Sequence, residues 1–221
     1  MIYLKSDDVL LFQGDSITHG GRGLSQTDLN HVIGHGYQDT IAQTLGLANI
    51  ERRPTILNRG VSGDDLARLH ARKQADLFDL KPTILSLLIG TNDASHAIHG
   101  TADLAPEKYE RCYRDLLDEV KAAFPGIRLI LGQPFRYPRP DGAEPELQKP
   151  ICDYVHENAV IVESIARDYG AVFVRYGDIF DEWLKTVPLT HLIWDGIHPT
   201  YVGHAIMAKA WLEAAEAAWG V

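Results

Sequence analysis

The sequence has few cysteines, no cluster of positive charge and no long apolar run. Its two cysteines, Cys112 and Cys152, are too few for a framework of several disulfide bonds and lack a Cys-x-x-Cys spacing, so we expect buried or half-buried thiols. No apolar run reaches the roughly 18 residues expected of a membrane span. The N-terminus also lacks a basic region followed by a long apolar core, and this pattern predicts a cytoplasmic protein.

Positive charge is outnumbered, with 21 Lys and Arg against 30 Asp and Glu and a formal net charge of -9. A nucleic-acid binder neutralises phosphates with clustered Lys and Arg, and no such block is present. We therefore expect neither nucleic acid nor a membrane as a partner. The length of 221 residues, with 45% hydrophobic and 23% charged residues, is ordinary for one globular domain over residues 1–221.

An apolar stretch near the N-terminus ends abruptly in a polar turn. The strand-forming residues 9–13 run into Gly14-Asp15-Ser16, which predicts a buried strand with Ser16 at its carboxyl end. In open parallel sheets this edge binds ligands. A serine hydroxyl is a weak nucleophile at neutral pH, so catalysis by Ser16 requires a base, a group that orients the base, and donors for an oxyanion.

Strand-like and helix-like segments alternate along the chain, which predicts βαβ units around a mostly parallel sheet. Loops over 19–36 and 135–150 are expected to border the site. The predicted strands cover 9–13, 55–58, 83–89, 127–132 and 171–174, and the predicted helices cover 37–47, 66–80, 105–124, 151–169, 179–184 and 201–219.

Two further strand ends carry candidate oxyanion donors. The second strand runs into a turn with glycines at Gly60 and Gly63, where a backbone N–H can face an oxyanion because no Cβ blocks the approach. The third strand ends at Gly90, and the side-chain amide of Asn92 is a neutral donor suited to the same role. Both segments also fit ordinary turns, and the choice between the two glycines stays open.

A candidate base and its orienting group lie near the C-terminus. Asp195 precedes His198 by three residues, so its carboxylate can accept a hydrogen bond from one ring nitrogen and leave the other free to face Ser16. Taken alone, this spacing also fits a surface or capping role. A metal-dependent hydrolase using Asp195, His198 and His204 is an alternative, which the lack of a paired-histidine ligand motif disfavours.

Four short blocks, taken together, resemble a known family. Gly14-Asp15-Ser16, Gly63, Gly90-x-Asn92-Asp93 and Asp195-x-x-His198 are similar in order and spacing to the blocks of the SGNH hydrolases, also called the GDSL esterase/lipase family. The match spans nearly the whole chain. It implies a flavodoxin-like α/β fold, a three-layer α/β/α sandwich with a central, mostly parallel five-stranded sheet. The α/β-hydrolase family is disfavoured because no Gly-x-Ser-x-Gly elbow occurs.

The resemblance also implies roles for individual residues. Ser16 corresponds to the nucleophile, His198 to the base and Asp195 to its orienting group, with the Ser16 N–H, the Gly63 N–H and the Asn92 side chain as the oxyanion hole. No metal or organic cofactor is implied. The expected activity is ester hydrolysis by two-step acyl transfer. A non-catalytic carbohydrate-binding protein is the alternative outside enzymes, and the intact set of catalytic residues argues against it.

A narrower resemblance concerns the substrate. Gly34-x-Gly36-Tyr37, Trp194-Asp195 and Val202-Gly203-His204 are similar to the acetylxylan esterase-like branch of the family. This implies removal of acetyl groups from xylan or xylo-oligosaccharides, and a homo-oligomer. Asp15, Tyr37 and Trp194 are the predicted substrate-binding residues. The alternative within the family is a lipase, lysophospholipase or thioesterase that acts on longer acyl chains.

Overall fold

Strands and helices alternate along the chain as predicted. The computed structural model describes residues 2–25, 27–102 and 105–220. The strands are β1 (Val9–Gly14), β2 (Thr55–Asn58), β3 (Ile84–Leu88), β4 (Arg128–Gly132) and β5 (Val172–Val174). The helices are α1 (Ser16–His19), α2 (Tyr37–Ala48), α3 (Leu66–Asp76), α4 (Thr91–Ile98), α5 (Pro106–Ala123), α6 (Pro145–Tyr169), α7 (Tyr176–Leu184), α8 (Leu189–Leu192) and α9 (Tyr201–Trp219), with a 3-10 turn at Phe78–Leu80.

The five strands form a parallel sheet in the order β2-β1-β3-β4-β5. In β1, Leu10 pairs with Ile56 of β2 on one side and with Ile84 of β3 on the other. The chain therefore starts inside the sheet, adds β2 on one side and then crosses to β3. The carboxyl ends of β1 and β3 lie side by side at this switch of direction, which is where open α/β sheets bind their ligands.

Alternating side chains of the strands face two separate cores. Leu10 and Phe12 of β1 pack on one face of the sheet, whereas Leu11 packs on the other. Helices α1, α2, α7, α8 and α9 contribute to the first core, and α3, α5 and α6 contribute to the second. Successive side chains of a β-strand point to opposite faces of the sheet, and this alternation explains the division. The predicted three-layer α/β/α fold is confirmed.

Helix α6 differs from the prediction because it begins at Pro145, inside the segment expected to be a loop. Pro145 occupies the first turn, where its missing N–H has no intrahelical partner to lose. Pro150 lies inside the helix and is exposed, whereas the adjacent Ile151 is fully buried. The free energy gained by packing the buried face of α6 therefore exceeds the cost of the hydrogen bond that Pro150 cannot make.

The C-terminal helix α9 anchors the loop that precedes it. Its N-cap is Thr200, whose side chain accepts a hydrogen bond from the Gly203 N–H at 3.3 Å. Near the middle of the helix, Trp211 is buried, and its Nε1 donates to Ser86 Oγ of β3 at 3.0 Å. These contacts fix the start of α9 relative to the sheet. Throughout the described ranges, each helix is too short or too polar to cross a membrane.

Candidate active site

Ser16 lies at the carboxyl end of β1, as predicted, and begins α1. At Gly14, φ is +152°, and a Cβ there would lie 2.2 Å from the Leu88 carbonyl oxygen of β3. Glycine thus permits the close approach of the two strands just before the serine. The carboxylate of Asp15 caps α1 by accepting a hydrogen bond from the Ile17 N–H at 2.9 Å. Ser16 is therefore held at the start of a short helix.

The structure brings Ser16, His198 and Asp195 together in one chain of hydrogen bonds. His198 Nε2 lies 2.7 Å from Ser16 Oγ, and His198 Nδ1 lies 2.6 Å from Asp195 Oδ2. The other carboxylate oxygen of Asp195 accepts hydrogen bonds from the backbone N–H groups of Ile197 at 2.9 Å and of His198 at 2.8 Å. This arrangement orients the imidazole and leaves Nε2 positioned to take the serine proton.

The electrostatics of the pair formed by Asp195 and His198 suit a base that works near neutral pH. Burial raises the pKa of Asp195, but the hydrogen bonds from His198 and Ile197 outweigh it and lower this pKa to about 2. The hydrogen bond to Asp195 raises the pKa of His198 above its usual 6.5, against the opposing effect of burial. Asp195 therefore stays ionised and stabilises a proton on the imidazole.

The loop that carries both residues is tied down at each end. Ile193 and Pro199 form an isolated antiparallel bridge, and the Trp194 N–H donates to the His198 carbonyl at 3.1 Å. In the middle of the loop, Gly196 has φ of +90°, and its carbonyl accepts a hydrogen bond from the Tyr137 N–H at 2.8 Å. This hydrogen bond thus ties the loop to the segment that follows β4.

The contacts of the two candidate glycines favour Gly63 over Gly60 as a free donor. The Gly60 N–H already donates to Asn58 Oδ1 at 2.8 Å, and a Cβ at Gly60 would lie 2.6 Å from the His19 nitrogen. Gly60 is therefore packed against α1. Gly63 has φ of +82°, and a Cβ there would meet Arg68 Nη1 only at 3.7 Å. The surroundings of Gly63 are open enough for a ligand to approach its backbone.

Asn92 is the second residue of α4, which begins three residues after the end of β3. Its side-chain amide donates to the Asp64 carbonyl at 2.9 Å, which fixes the amide plane and uses one of its two N–H bonds. Asp93, the next residue, is fully buried and accepts a hydrogen bond from the Leu66 N–H at 2.9 Å. Burial raises the pKa of Asp93 to about 7. These contacts lock the start of α4 against the turn that holds Gly63.

Comparison with protein families agrees with this geometry. Residues 12–206 match the GDSL-like Lipase/Acylhydrolase family. The chain belongs to this family. Its members are ester hydrolases, and the chain is accordingly a carboxylic ester hydrolase with the GDSL fold.

Three comparisons show how far the similarity extends. An acetylxylan esterase from Geobacillus stearothermophilus is 32% identical, over 98% of this chain and 97% of that protein. A solved structure described as a GDSL-like lipase from Parabacteroides merdae has a TM-score of 0.88 at 32% identity, covering 96% of this chain and 97% of the other. A crystal structure of an acetylxylan esterase from Geobacillus stearothermophilus has a TM-score of 0.79 at 29% identity, covering 96% of each chain.

Within this GDSL hydrolase, the three predicted substrate-binding residues lie in different environments. The prediction for Tyr37 needs correction, because its ring is fully buried and its hydroxyl lies 3.0 Å from Thr18 Oγ1. Tyr37 supports α1 from inside the core. Asp15 is also buried, and burial raises its pKa to about 6. Trp194 is 61% exposed, and its ring centroid lies 6.3 Å from that of His198 in a stacked arrangement.

His204, the third residue of the alternative metal-ligand set, has one ring nitrogen bonded within the protein. His204 Nδ1 accepts the Tyr37 N–H at 3.1 Å, and its ring stacks beside the Tyr37 ring. Burial lowers the pKa of His204 to about 4, so the ring is neutral. Among the residues that the structure describes, no group of three or more His, Cys, Asp or Glu side chains is arranged to hold a metal ion.

Sequence reasoning missed Asn58, which organises the loops around the site. Its side-chain amide donates to the carbonyls of Thr18 and Ile33, each at 2.7 Å, while its Oδ1 holds the Gly60 N–H. One buried side chain therefore connects the end of β2 to α1 and to the loop over 19–36. A polar residue at the end of a strand, two positions before a glycine, was the available signal.

Proposed function

We propose that this esterase removes short acyl groups, above all acetyl, from a carbohydrate such as acetylated xylo-oligosaccharides. The observation that carries the proposal is the hydrogen-bonded series Ser16 Oγ, His198 Nε2, His198 Nδ1 and Asp195 Oδ2, with distances of 2.7 and 2.6 Å. The 32% identity to an acetylxylan esterase over 98% of the chain supports the choice of substrate.

The first half-reaction acylates the serine. Ser16 Oγ attacks the carbonyl carbon of the ester while its proton passes to His198 Nε2. Asp195 remains ionised and stabilises the imidazolium. The negative charge on the former carbonyl oxygen is held by the Ser16 N–H, the Gly63 N–H and the Asn92 side chain. The tetrahedral intermediate then collapses, and the alcohol leaves with the proton from His198.

The second half-reaction releases the acid. A water molecule gives a proton to His198 Nε2 and attacks the acyl-enzyme carbonyl, so a second tetrahedral intermediate forms in the same oxyanion hole. Its collapse breaks the bond to Ser16 Oγ, and the proton on His198 returns to the serine. Apart from the ester and this water molecule, both halves use only side chains and backbone groups of this chain.

Of the three predicted substrate-binding residues, Trp194 is the one placed to contact the substrate directly. Its ring is exposed and lies beside the imidazole of His198, so a sugar ring attached to the reacting ester can pack on it. The roles of Asp15 and Tyr37 are indirect: Asp15 fixes the start of α1, and Tyr37 packs beneath that helix. Both support the position of Ser16 without facing the ester.

Hydrolysis of longer acyl chains is the second candidate. It is favoured by the TM-score of 0.88 with the protein described as a GDSL-like lipase. In this case the same serine would form the acyl-enzyme, and the acyl group would need an extended apolar surface beside the site. The two candidates differ in acyl length and in the alcohol part of the ester.

The deciding experiment is a kcat/KM series on 4-nitrophenyl esters from acetate to octanoate, run beside acetylated xylobiose. Ser16→Ala serves as the blank. We expect the highest kcat/KM for acetate, together with acetate release from the sugar. A maximum at longer chains with no turnover of the sugar ester would favour the lipase-like candidate. Full turnover by Ser16→Ala would remove the acyl-transfer mechanism altogether.

The proposal also covers domain organisation, cellular location and oligomeric state. We infer that residues 1–221 fold as one domain, that the protein acts in the cytoplasm and that it forms a homo-oligomer. The exposed aromatic side chain of Tyr201, which is 84% exposed, is suited to a contact between subunits. Light scattering of the purified protein tests the oligomer: a mass near 24.6 kDa, that of one chain, contradicts it.

A further inference from the structure

Arg136 lies in the segment that follows β4, between the two parts of the candidate active site. On one side, the Phe135 carbonyl accepts a hydrogen bond from Thr91 Oγ1 at 3.1 Å, at the start of α4. On the other side, the Tyr137 N–H donates to the Gly196 carbonyl in the loop that carries Asp195 and His198. The backbone of Arg136 is therefore fixed between the turn of Asn92 and the loop of the catalytic base.

The guanidinium of Arg136 has no partner within the described ranges, where it makes neither a hydrogen bond nor an ion pair. The residue is half-buried, and its Nε is a fully buried donor without an acceptor. Burial lowers the pKa of Arg136, as expected for a charge removed from water. By contrast, the nearby Arg139 pairs with Asp141 at 2.7 Å. An unpaired, half-buried cation is costly and therefore unusual.

The carboxylates near Arg136 are engaged elsewhere. Both oxygens of Asp195 are used by His198 and Ile197, and Glu144 lies 3.3 Å from His99 Nε2. On the wall of the adjoining cleft, Asp178 accepts from Gln133 at 2.9 Å and Asp181 accepts from Tyr137 at 2.7 Å. None of these four carboxylates therefore pairs with the guanidinium of Arg136.

The charge of Arg136 acts on the catalytic pair. Arg136 is among the groups that oppose protonation of His198, and Asp195 is among the groups that favour the charge of Arg136. Because the backbone on either side of Arg136 is bonded to the start of α4 and to the loop of His198, an anion on its side chain would lie at the same edge of the sheet as Ser16. Acetate as the acyl group carries no second charge, so this anion belongs to the alcohol part of the substrate.

We propose that Arg136 is a specificity residue that binds a carboxylate on the alcohol part of the ester, as in an acetylated oligosaccharide that carries a uronic acid. The planar guanidinium presents paired N–H donors that match a carboxylate in a bidentate manner. This inference rests on the proposed hydrolysis at Ser16 and narrows its substrate class to acidic sugar esters.

The test compares two esters that differ in one charge, 3-carboxyphenyl acetate and 3-carbamoylphenyl acetate, and then acetylated xylobiose with and without a uronic acid substituent. The measured quantity is the ratio of kcat/KM for the acidic ester to that for its neutral counterpart. In Arg136→Gln we expect this ratio to fall about 10- to 100-fold, chiefly through KM, as for the loss of a charge-assisted hydrogen bond. Arg136→Lys should retain part of the preference.

Arg139→Gln is the matched control, because it removes a neighbouring arginine that is paired with Asp141. The ratio should remain unchanged in this variant. The inference is overturned if Arg136→Gln leaves the ratio at its wild-type value, or if the wild-type enzyme hydrolyses acidic and neutral esters equally well.

Failure of the proposed function is recognised separately. If the wild-type protein hydrolyses none of the esters, the acyl-transfer proposal is wrong. Binding of the acidic acetylated xylobiose to Ser16→Ala, measured by calorimetry, then tests Arg136 without turnover. We expect at least tenfold weaker binding when Arg136→Gln is added to Ser16→Ala. Equal affinity of the single and double variants overturns the role of Arg136.

Discussion

Asp195→Asn tests the role of the carboxylate in the catalytic series. Asp195 Oδ1 accepts the N–H groups of Ile197 and His198, and an asparagine oxygen can accept the same two bonds. The asparagine N–H₂ then faces His198 Nδ1, where the carboxylate was 2.6 Å away. A donor at this position favours the tautomer with the proton on Nε2, which cannot accept the proton of Ser16.

The expected loss in kcat is about 10⁴-fold, equivalent to about 5 kcal/mol of transition-state stabilisation. The fold should be retained because the backbone hydrogen bonds of the loop persist. The wild-type kcat/KM should fall as the pH drops through the pKa of His198, which lies above 6.5 because of Asp195. Without the carboxylate, this acidic limb should move to lower pH.

The assay is steady-state hydrolysis of 4-nitrophenyl acetate from pH 5 to 9, with thermal unfolding recorded in parallel. Asp168→Asn is the matched control, because it replaces an exposed carboxylate that pairs with Arg114 at 2.9 Å. A kcat for Asp195→Asn within tenfold of wild type, at an unchanged melting temperature, would refute the role of Asp195.

The remaining predictions concern the oxyanion hole, a buried acid and a helix proline. Asn92→Ala should lower kcat about 10²- to 10³-fold with little change in KM, and a loss below fivefold would remove it from the oxyanion hole. The pKa of Asp93 is about 7 in the folded protein, against an ordinary value of 3.8, so the stability of the fold should decline as the pH rises from about 4 through 7. Asp93→Asn should reduce the fall in melting temperature over this range. Melting temperatures that fall equally with pH in the variant and the wild type would contradict the raised pKa of Asp93. Pro150→Ala should raise the free energy of unfolding in urea by about 1–3 kcal/mol, because an exposed position inside α6 regains a hydrogen bond, and no gain would contradict this account.

The sheet and the hydrogen-bonded arrangement of Ser16, His198 and Asp195 were predictable because local patterns encode them. The apolar run of β1 ends at Gly14-Asp15-Ser16, and its neighbour β3 ends just before Asn92. Parallel strands bring such ends to one edge, so residues far apart in sequence meet there. The three-residue spacing of Asp195 and His198 likewise defines a local hydrogen bond, which the structure contains at 2.6 Å.

The features that were missed depend on contacts between distant segments. Whether Tyr37 faces a ligand or the core is decided by how α2 packs on α9 and β1, which its local sequence does not show. Helix α6 tolerates Pro150 because its opposite face is buried. Within the described part of the chain, Arg136 has no hydrogen-bond or ion-pair partner because the nearby carboxylates bind other groups, and no pattern along the sequence reveals this.

Identification of the residue that becomes acylated tests the central claim most directly. The protein is treated with a fluorinated alkyl phosphonate, digested and mapped by mass spectrometry, and residual esterase activity is followed in the same samples. We predict one phosphonate per chain, on Ser16, appearing in step with the loss of activity and absent from Ser16→Ala. Inactivation with the label on another residue, or full esterase activity with Ser16 completely labelled, would contradict the proposed nucleophile.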